Sequence, residues 1–149
     1  MNKIKGFTIL EMVVVIGIIS IIATLGLSSY SSVQKKARDS RRVADIELVR
    51  AAIEQYRSTN NAYPTTIPYP VGGGNNGICD PAGCATGKYL EKVPTDPIPP
   101  QVYVYQYANS SDYTLCTLLS GGGTSSFGDC STATGTQTCN YCLGPYGQK

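Results

Sequence analysis

The sequence predicts an α+β fold: a long amino-terminal helix, apolar in its first half, packed through its second half on a small antiparallel sheet with disulfide-closed loops. Three observations carry that prediction. Met12 to Gln34 contains no charged residue, and most of its first part is Val, Ile, Leu, Ala or Met. From Val33 to Thr59 no Gly or Pro interrupts the chain, and opposite charges fall at helical spacing. All six cysteines lie beyond that point, in a region rich in Gly, Pro, Ser, Thr and Tyr.

The first of these elements sets the class. A bilayer-crossing helix needs about 20 predominantly apolar residues, and the run from Met12 satisfies that length. Lys3 and Lys5 precede it with no acidic residue before them, so the short amino terminus stays cytoplasmic and the rest faces outward. A cleaved secretory signal, a plain membrane anchor and an assembly helix all compete for this segment. The run is longer than a secretory core and no A-x-A site ends it. A plain anchor leaves Glu11 unexplained. A carboxylate inside the membrane costs about 2.5–3.5 kcal/mol at mid-helix, less near the interface, and needs a partner. No basic residue in the following run supplies one.

Outside the membrane the helix is expected to continue to about Thr59. Asp39/Arg42, Arg41/Asp45, Glu47/Arg50 and Glu54/Arg57 are neighbours on its surface. From Phe7 the whole element would measure roughly 80 Å at about 1.5 Å per residue. Ala44, Ile46, Leu48, Val49, Ala51, Ala52, Ile53 and Tyr56 cover more of the circumference than a surface helix needs. Such an arc predicts burial on two sides, against the chain's own head and against neighbouring helices. A helix sunk in one globular core is the alternative.

Ala62-Tyr63-Pro64 ends the helical pattern. Residues 64–88 read as a Gly- and Pro-rich loop. Gln101 to Ala108 alternates, with Tyr103, Tyr105 and Tyr107 on one face as a packing surface, and Tyr113 to Leu119 forms the return strand of a hairpin. Residues 120–149 read as stapled loops with one short edge strand near Tyr141. Cys79, Cys84, Cys116, Cys130, Cys139 and Cys142 are an even set behind an apolar segment, which predicts disulfides in an oxidising compartment. Short loops favour Cys79–Cys84 and Cys116–Cys130. Cys139 and Cys142 have the spacing of a thiol-redox motif but lack a βαβ context, so a structural bridge near the carboxyl end is the preferred reading.

Composition narrows the function. At 149 residues, with 42% hydrophobic and 15% charged residues, the chain has room for one modest domain. A formal charge of +2 argues against nucleic acid as a partner, except through an assembled filament. The chain has no histidine, so the commonest general base and metal ligand are missing. No nucleophile–base constellation is visible; neither an enzyme nor a cofactor is expected.

The stretch Lys5-Gly6-Phe7-Thr8-Ile9-Leu10-Glu11-Met12-Val13-Val14-Val15-Ile16-Gly17 resembles the class III signal of type IV prepilins and type II secretion pseudopilins. Tyr89-Leu90-Glu91-Lys92-Val93-Pro94-Thr95-Asp96-Pro97 is similar to the stretch before the sheet in major pseudopilins, as is the Asn60-to-Thr65 helix exit. The resemblance implies a pilin-like fold and cleavage between Gly6 and Phe7 by a membrane prepilin peptidase. It also implies N-methylation of Phe7, and pairing of Glu11 with the Phe7 amine of a neighbouring copy. Residues 1–6 are then a leader, 7–34 the transmembrane and assembly half of the helix, 35–60 its amphipathic half, and 61–149 the head. Partners are other copies of the chain, the peptidase, an assembly platform and the membrane. The resemblance implies a membrane precursor that becomes an extracellular filament. The leading reading is the major pilin of a type IV pilus serving adhesion, twitching or DNA uptake. A type II secretion pseudopilin is the runner-up, and a membrane-anchored adhesin is the rival class. Many relatives carry a proline inside the apolar helix, where this chain has Leu25-Gly26-Leu27-Ser28. Major pseudopilins also carry calcium after the sheet; with Asp129 the one acid in 120–149, calcium is not carried over, and a site using Asp96, Asp112 or Asp129 is not the preferred reading.

Overall fold

The computed structural model describes residues 6–67, 77–123, 125–130 and 137–149, apart from the side chains at 25–29. Lys3 and Lys5 of the expected leader and glycines 72–74 lie outside these residues. Helix α1 spans Ile9–Asn60 and is assigned without a break through Gly26. Compact units divide the chain between Lys36 and Ala37, and each is treated separately below.

Asn61 ends the helix. Its φ of 57° is the left-handed conformation that Asn tolerates, and its N–H reaches the Arg57 carbonyl at 2.8 Å. The following strands are β1 (Ile78–Asp80), β2 (Gly83–Leu90), β3 (Val104–Asn109), β4 (Asp112–Thr117), β5 (Phe127–Asp129), β6 (Thr138–Cys139), β7 (Tyr141–Gly144) and β8 (Gly147–Gln148). The main sheet has the order β3-β4-β7-β8, and β1-β2 and β5-β6 form separate pairs. Every pairing is antiparallel.

The expected hairpin is β3–β4, with Tyr107 opposite Tyr113 and Tyr105 opposite Leu115. Two expectations change. The loop foreseen over 64–88 contains β1 and most of β2, because a short turn at Pro81-Ala82 lets the chain fold back on itself. The strand near Tyr141 is interior rather than an edge, since β8 continues the ladder beyond it.

In the second unit the core forms where Ile46, Val49, Ala52 and Ile53 recur on one face of α1 and meet Tyr113, Leu115 and Leu143 of the sheet. Buried tyrosines need partners for their hydroxyls, and the helix supplies carboxylates. Tyr103 donates to Asp45 Oδ2 at 2.7 Å, and Tyr113 to Glu54 Oε1 at 3.1 Å. The expected Glu54/Arg57 pair is relayed through Tyr63, whose hydroxyl accepts from Arg57 at 2.7 Å and donates to Glu54 at 3.1 Å.

Cysteine pairing follows strand register. Cys116 and Cys142 are direct partners in the β4–β7 ladder and form one disulfide; Cys130–Cys139 joins the β5–β6 region. These bridges replace the short-loop expectation of Cys116–Cys130 and the local Cys139–Cys142 bridge. Cys79–Cys84 closes the β1–β2 hairpin.

Candidate assembly site

In the first unit, Gly6, Phe7 and Thr8 precede the helix and are exposed, and nothing lies within 4 Å of the Gly6 Cβ position. The peptide bond between Gly6 and Phe7 is therefore open to solvent. Thr8 begins α1 through a reciprocal cap. Its Oγ1 accepts the Glu11 N–H at 3.2 Å, while Glu11 Oε2 accepts the Thr8 N–H at 3.1 Å and the Thr8 hydroxyl at 3.2 Å. This is the Ser/Thr-x-x-Glu capping box, which satisfies two amide donors at a helix start. It also puts a carboxylate at the positive end of the helix dipole. The box directs Glu11 back toward residue 8, next to where a new amine on Phe7 would stand.

Beyond the box, Val13, Val14, Val15 and Ile16 are 58, 54, 48 and 60% exposed. Four successive residues point to all sides of a helix, so this segment is apolar around its whole circumference. Its hydroxyls are satisfied internally: Ser20 Oγ donates to the Ile16 carbonyl at 2.7 Å and Thr24 Oγ1 to the Ser20 carbonyl at 2.8 Å. That arrangement suits an apolar medium. Among the described residues no helix is long and apolar enough to cross a membrane. The span expected over 7–34 includes the side chains at 25–29, which lie outside the described residues.

In the second unit, Arg42 is fully buried and its guanidinium donates in every direction. Nε and Nη2 reach Asp96 Oδ2 and Oδ1 at 2.7 and 3.0 Å. Nη1 reaches Asp39 at 2.9 Å and Ser120 at 3.4 Å, and Nη2 also binds Gln101 Oε1. Asp96 in turn accepts the Ile98 N–H at 2.8 Å, so the Pro94-Thr95-Asp96-Pro97 segment is fixed to α1. Burial works against the charge of Asp39, yet the Ser120 and Gly121 N–H groups and Arg42 hold its pKa below the usual carboxylate range. On the side of the helix away from the core, Ala44, Leu48 and Ala51 are exposed at i, i+4 and i+7.

Residues 1–27 match the prokaryotic N-terminal methylation motif, and residues 29–134 match the model for type II secretion system protein G. The chain belongs to the type II secretion protein G family. It is 31% identical over 119 residues to type II secretion system core protein G of Vibrio cholerae, covering 75% of each chain. With the core protein G of Aeromonas hydrophila it shares 32% over 100 residues, 62% of this chain and 66% of that one, a little under two-thirds of that relative's length. The type IV major pilin protein PilE1 of Neisseria gonorrhoeae is 29% identical over 89 residues, 60% of this chain and 38% of that protein. No solved structure gives a significant match. The pilin and pseudopilin superfamily foreseen from the amino-terminal motif is thus established. Within it, the protein G match favours the runner-up over the type IV pilus reading.

Two of the acids weighed for calcium, Asp96 and Asp112, are each already occupied by a cationic side chain. Asp96 is held by Arg42. Asp112 Oδ1 receives Lys149 Nζ at 2.6 Å, and the same ammonium reaches the Tyr113 carbonyl at 2.9 Å and Thr114 Oγ1 at 3.3 Å. Lys149 therefore stands as a cation among three oxygens. A Cβ on Gly144 would meet its Cε at 2.4 Å, so the missing side chain there leaves a channel for the lysine stem. Among the described residues no group of His, Cys, Asp and Glu gathers to hold a metal.

Sequence reasoning had singled out Gly6, Phe7 and Glu11, which the structure brings together at one helix start. It passed over Thr8, although Thr8-Ile9-Leu10-Glu11 before an apolar run is itself a capping-box signal. It also read Arg42 as a surface partner of Asp39, and no local pattern marks the residue as buried.

Proposed function

We propose that this chain is the major pseudopilin of a type II secretion pseudopilus, a structural subunit rather than a catalyst. The match of residues 29–134 to protein G carries the reading, and the unpartnered apolar helix supports its assembly role. The subunit is held in the membrane by the first half of α1. A prepilin peptidase cleaves the exposed Gly6–Phe7 bond, and the freed Phe7 amine is methylated and keeps its positive charge. On extraction into the filament, neighbouring copies bury the apolar helices. Glu11 would be costly to bury alone, and the Phe7 ammonium of an adjacent copy neutralises it. In the filament, the exposed Ala44, Leu48 and Ala51 stripe would be the side buried against neighbouring copies.

The test is complementation of a type II secretion strain lacking its own protein G. Restored export of the strain's secreted enzymes is expected, with sheared material carrying a chain that begins at N-methylated Phe7. Unrestored export together with long surface fibres and twitching would support the type IV pilin reading instead, which the partial match to PilE1 keeps in view.

A further inference from the structure

The three disulfides differ in what can reach them. Cys116, Cys142, Cys130 and Cys139 are 0–1% exposed and pack together with Val104, Leu118 and Phe127. Cys84 is exposed and Cys79 only half-buried, on either side of the Pro81-Ala82 turn at the tip of the β1–β2 hairpin. Thiol–disulfide exchange requires a thiolate to approach one sulfur directly, so access decides which bridge reacts.

The hairpin does not depend on this bridge for its position. Ile78 is in the core, Tyr89 stacks edge-on to Tyr56 at 5.4 Å, and the Tyr89 hydroxyl accepts from Asn60 at 3.2 Å and donates to Asp80 at 3.1 Å. A bridge closing so short a loop also removes less entropy from the unfolded chain than the Cys116–Cys142 bridge does.

We propose that Cys79–Cys84 is a thiol-exchange site, open to small thiols and dithiols, whereas the two bridges of the main sheet region are permanent. A small-thiol thiolate attacks Cys84 Sγ; the new S–S bond forms as the protein disulfide breaks, and the electron pair leaves on Cys79 Sγ. A second thiol attacks the small-molecule sulfur of that mixed disulfide, releasing the oxidised dimer and the Cys84 thiolate. The two protein thiolates take up the two protons of the consumed thiols. The exchange thus opens the hairpin tip while the head stays folded.

The experiment treats the full chain in detergent with millimolar reduced glutathione, quenches with N-ethylmaleimide and maps adducts by mass spectrometry. Adducts at Cys79 and Cys84 are expected at least tenfold faster than at the other four cysteines, with unchanged circular dichroism. The Cys79→Ser/Cys84→Ser double variant is expected to fold and take up no glutathione. Comparable rates at Cys116 or Cys130, or no adduct at any cysteine, would overturn the assignment.

Discussion

Asp96 receives the guanidinium of Arg42 through two parallel hydrogen bonds, with both side chains withdrawn from water. One partner sits mid-helix and the other 54 residues away in the Pro-rich segment, so the pair ties the connection before the sheet to α1. Removing a single member of a buried pair leaves an uncompensated charge, at a cost of roughly 3–5 kcal/mol. Arg42→Ala or Asp96→Ala is therefore expected to lower stability by about that much in chemical denaturation. Replacing both with apolar residues of similar volume is expected to recover a large part of the loss. A double-mutant cycle with no coupling would contradict the assignment.

Leu48 tests the outward face of the same helix. It is 51% exposed and lies outside the buried core. Leu48→Arg is expected to change the melting temperature of the head little, since exposed substitutions generally stay within about 0.5 kcal/mol. It is expected to reduce filament yield sharply, as measured in the sheared fraction by immunoblot.

Two pH limits follow from the buried groups. Asp39 has a folded pKa below its unfolded value, so its contribution is present above the ordinary carboxylate range, near about pH 4, and is lost as pH falls through the lower folded value. At the other end, burial first, aided by Asp45 beside Tyr103 and Glu54 beside Tyr113, raises the pKa of both phenols. Their raised values mean that stability is complete below about pH 10 and falls as pH rises beyond it, where the unfolded chain ionises first. Thermal melts across pH, followed at the tyrosinate absorbance band, are expected to show unfolding and ionisation together.

Lys149 makes a prediction about metal. Its ammonium already neutralises the oxygens of Asp112, Tyr113 and Thr114, so millimolar calcium or a chelator is expected to leave the melting temperature unchanged. Lys149→Met is expected to lower it by a few degrees. A melting temperature that rises with calcium in the unaltered protein would show that the lysine does not replace the ion.

Much of this architecture was legible in local pattern. The helix length, its end near Asn60, the β3–β4 hairpin and the tyrosine face are all written in periodicity, breakers and turn chemistry, which act over a few residues. The Cys116–Cys142 pairing was not, because it depends on β4 and β7 meeting in one register across 26 residues of chain. Arg42 was misjudged for a related reason. A charge at helical spacing from Asp39 looks like a surface pair until the 96–101 and 120–121 segments fold over it. Glu11 stood out because a carboxylate at the head of an apolar run has no local explanation, yet its own-chain partner Thr8 was only three residues away.

That last pair gives the most direct test of assembly. Glu11→Gln retains a side chain that can accept from Thr8 but carries no charge, whereas Glu11→Ala removes both. If neutralisation of the carboxylate by a neighbouring amine drives polymerisation, both variants insert and are processed to begin at Phe7, and both leave the sheared fraction empty of filaments. Filaments at normal yield from Glu11→Gln would contradict the account.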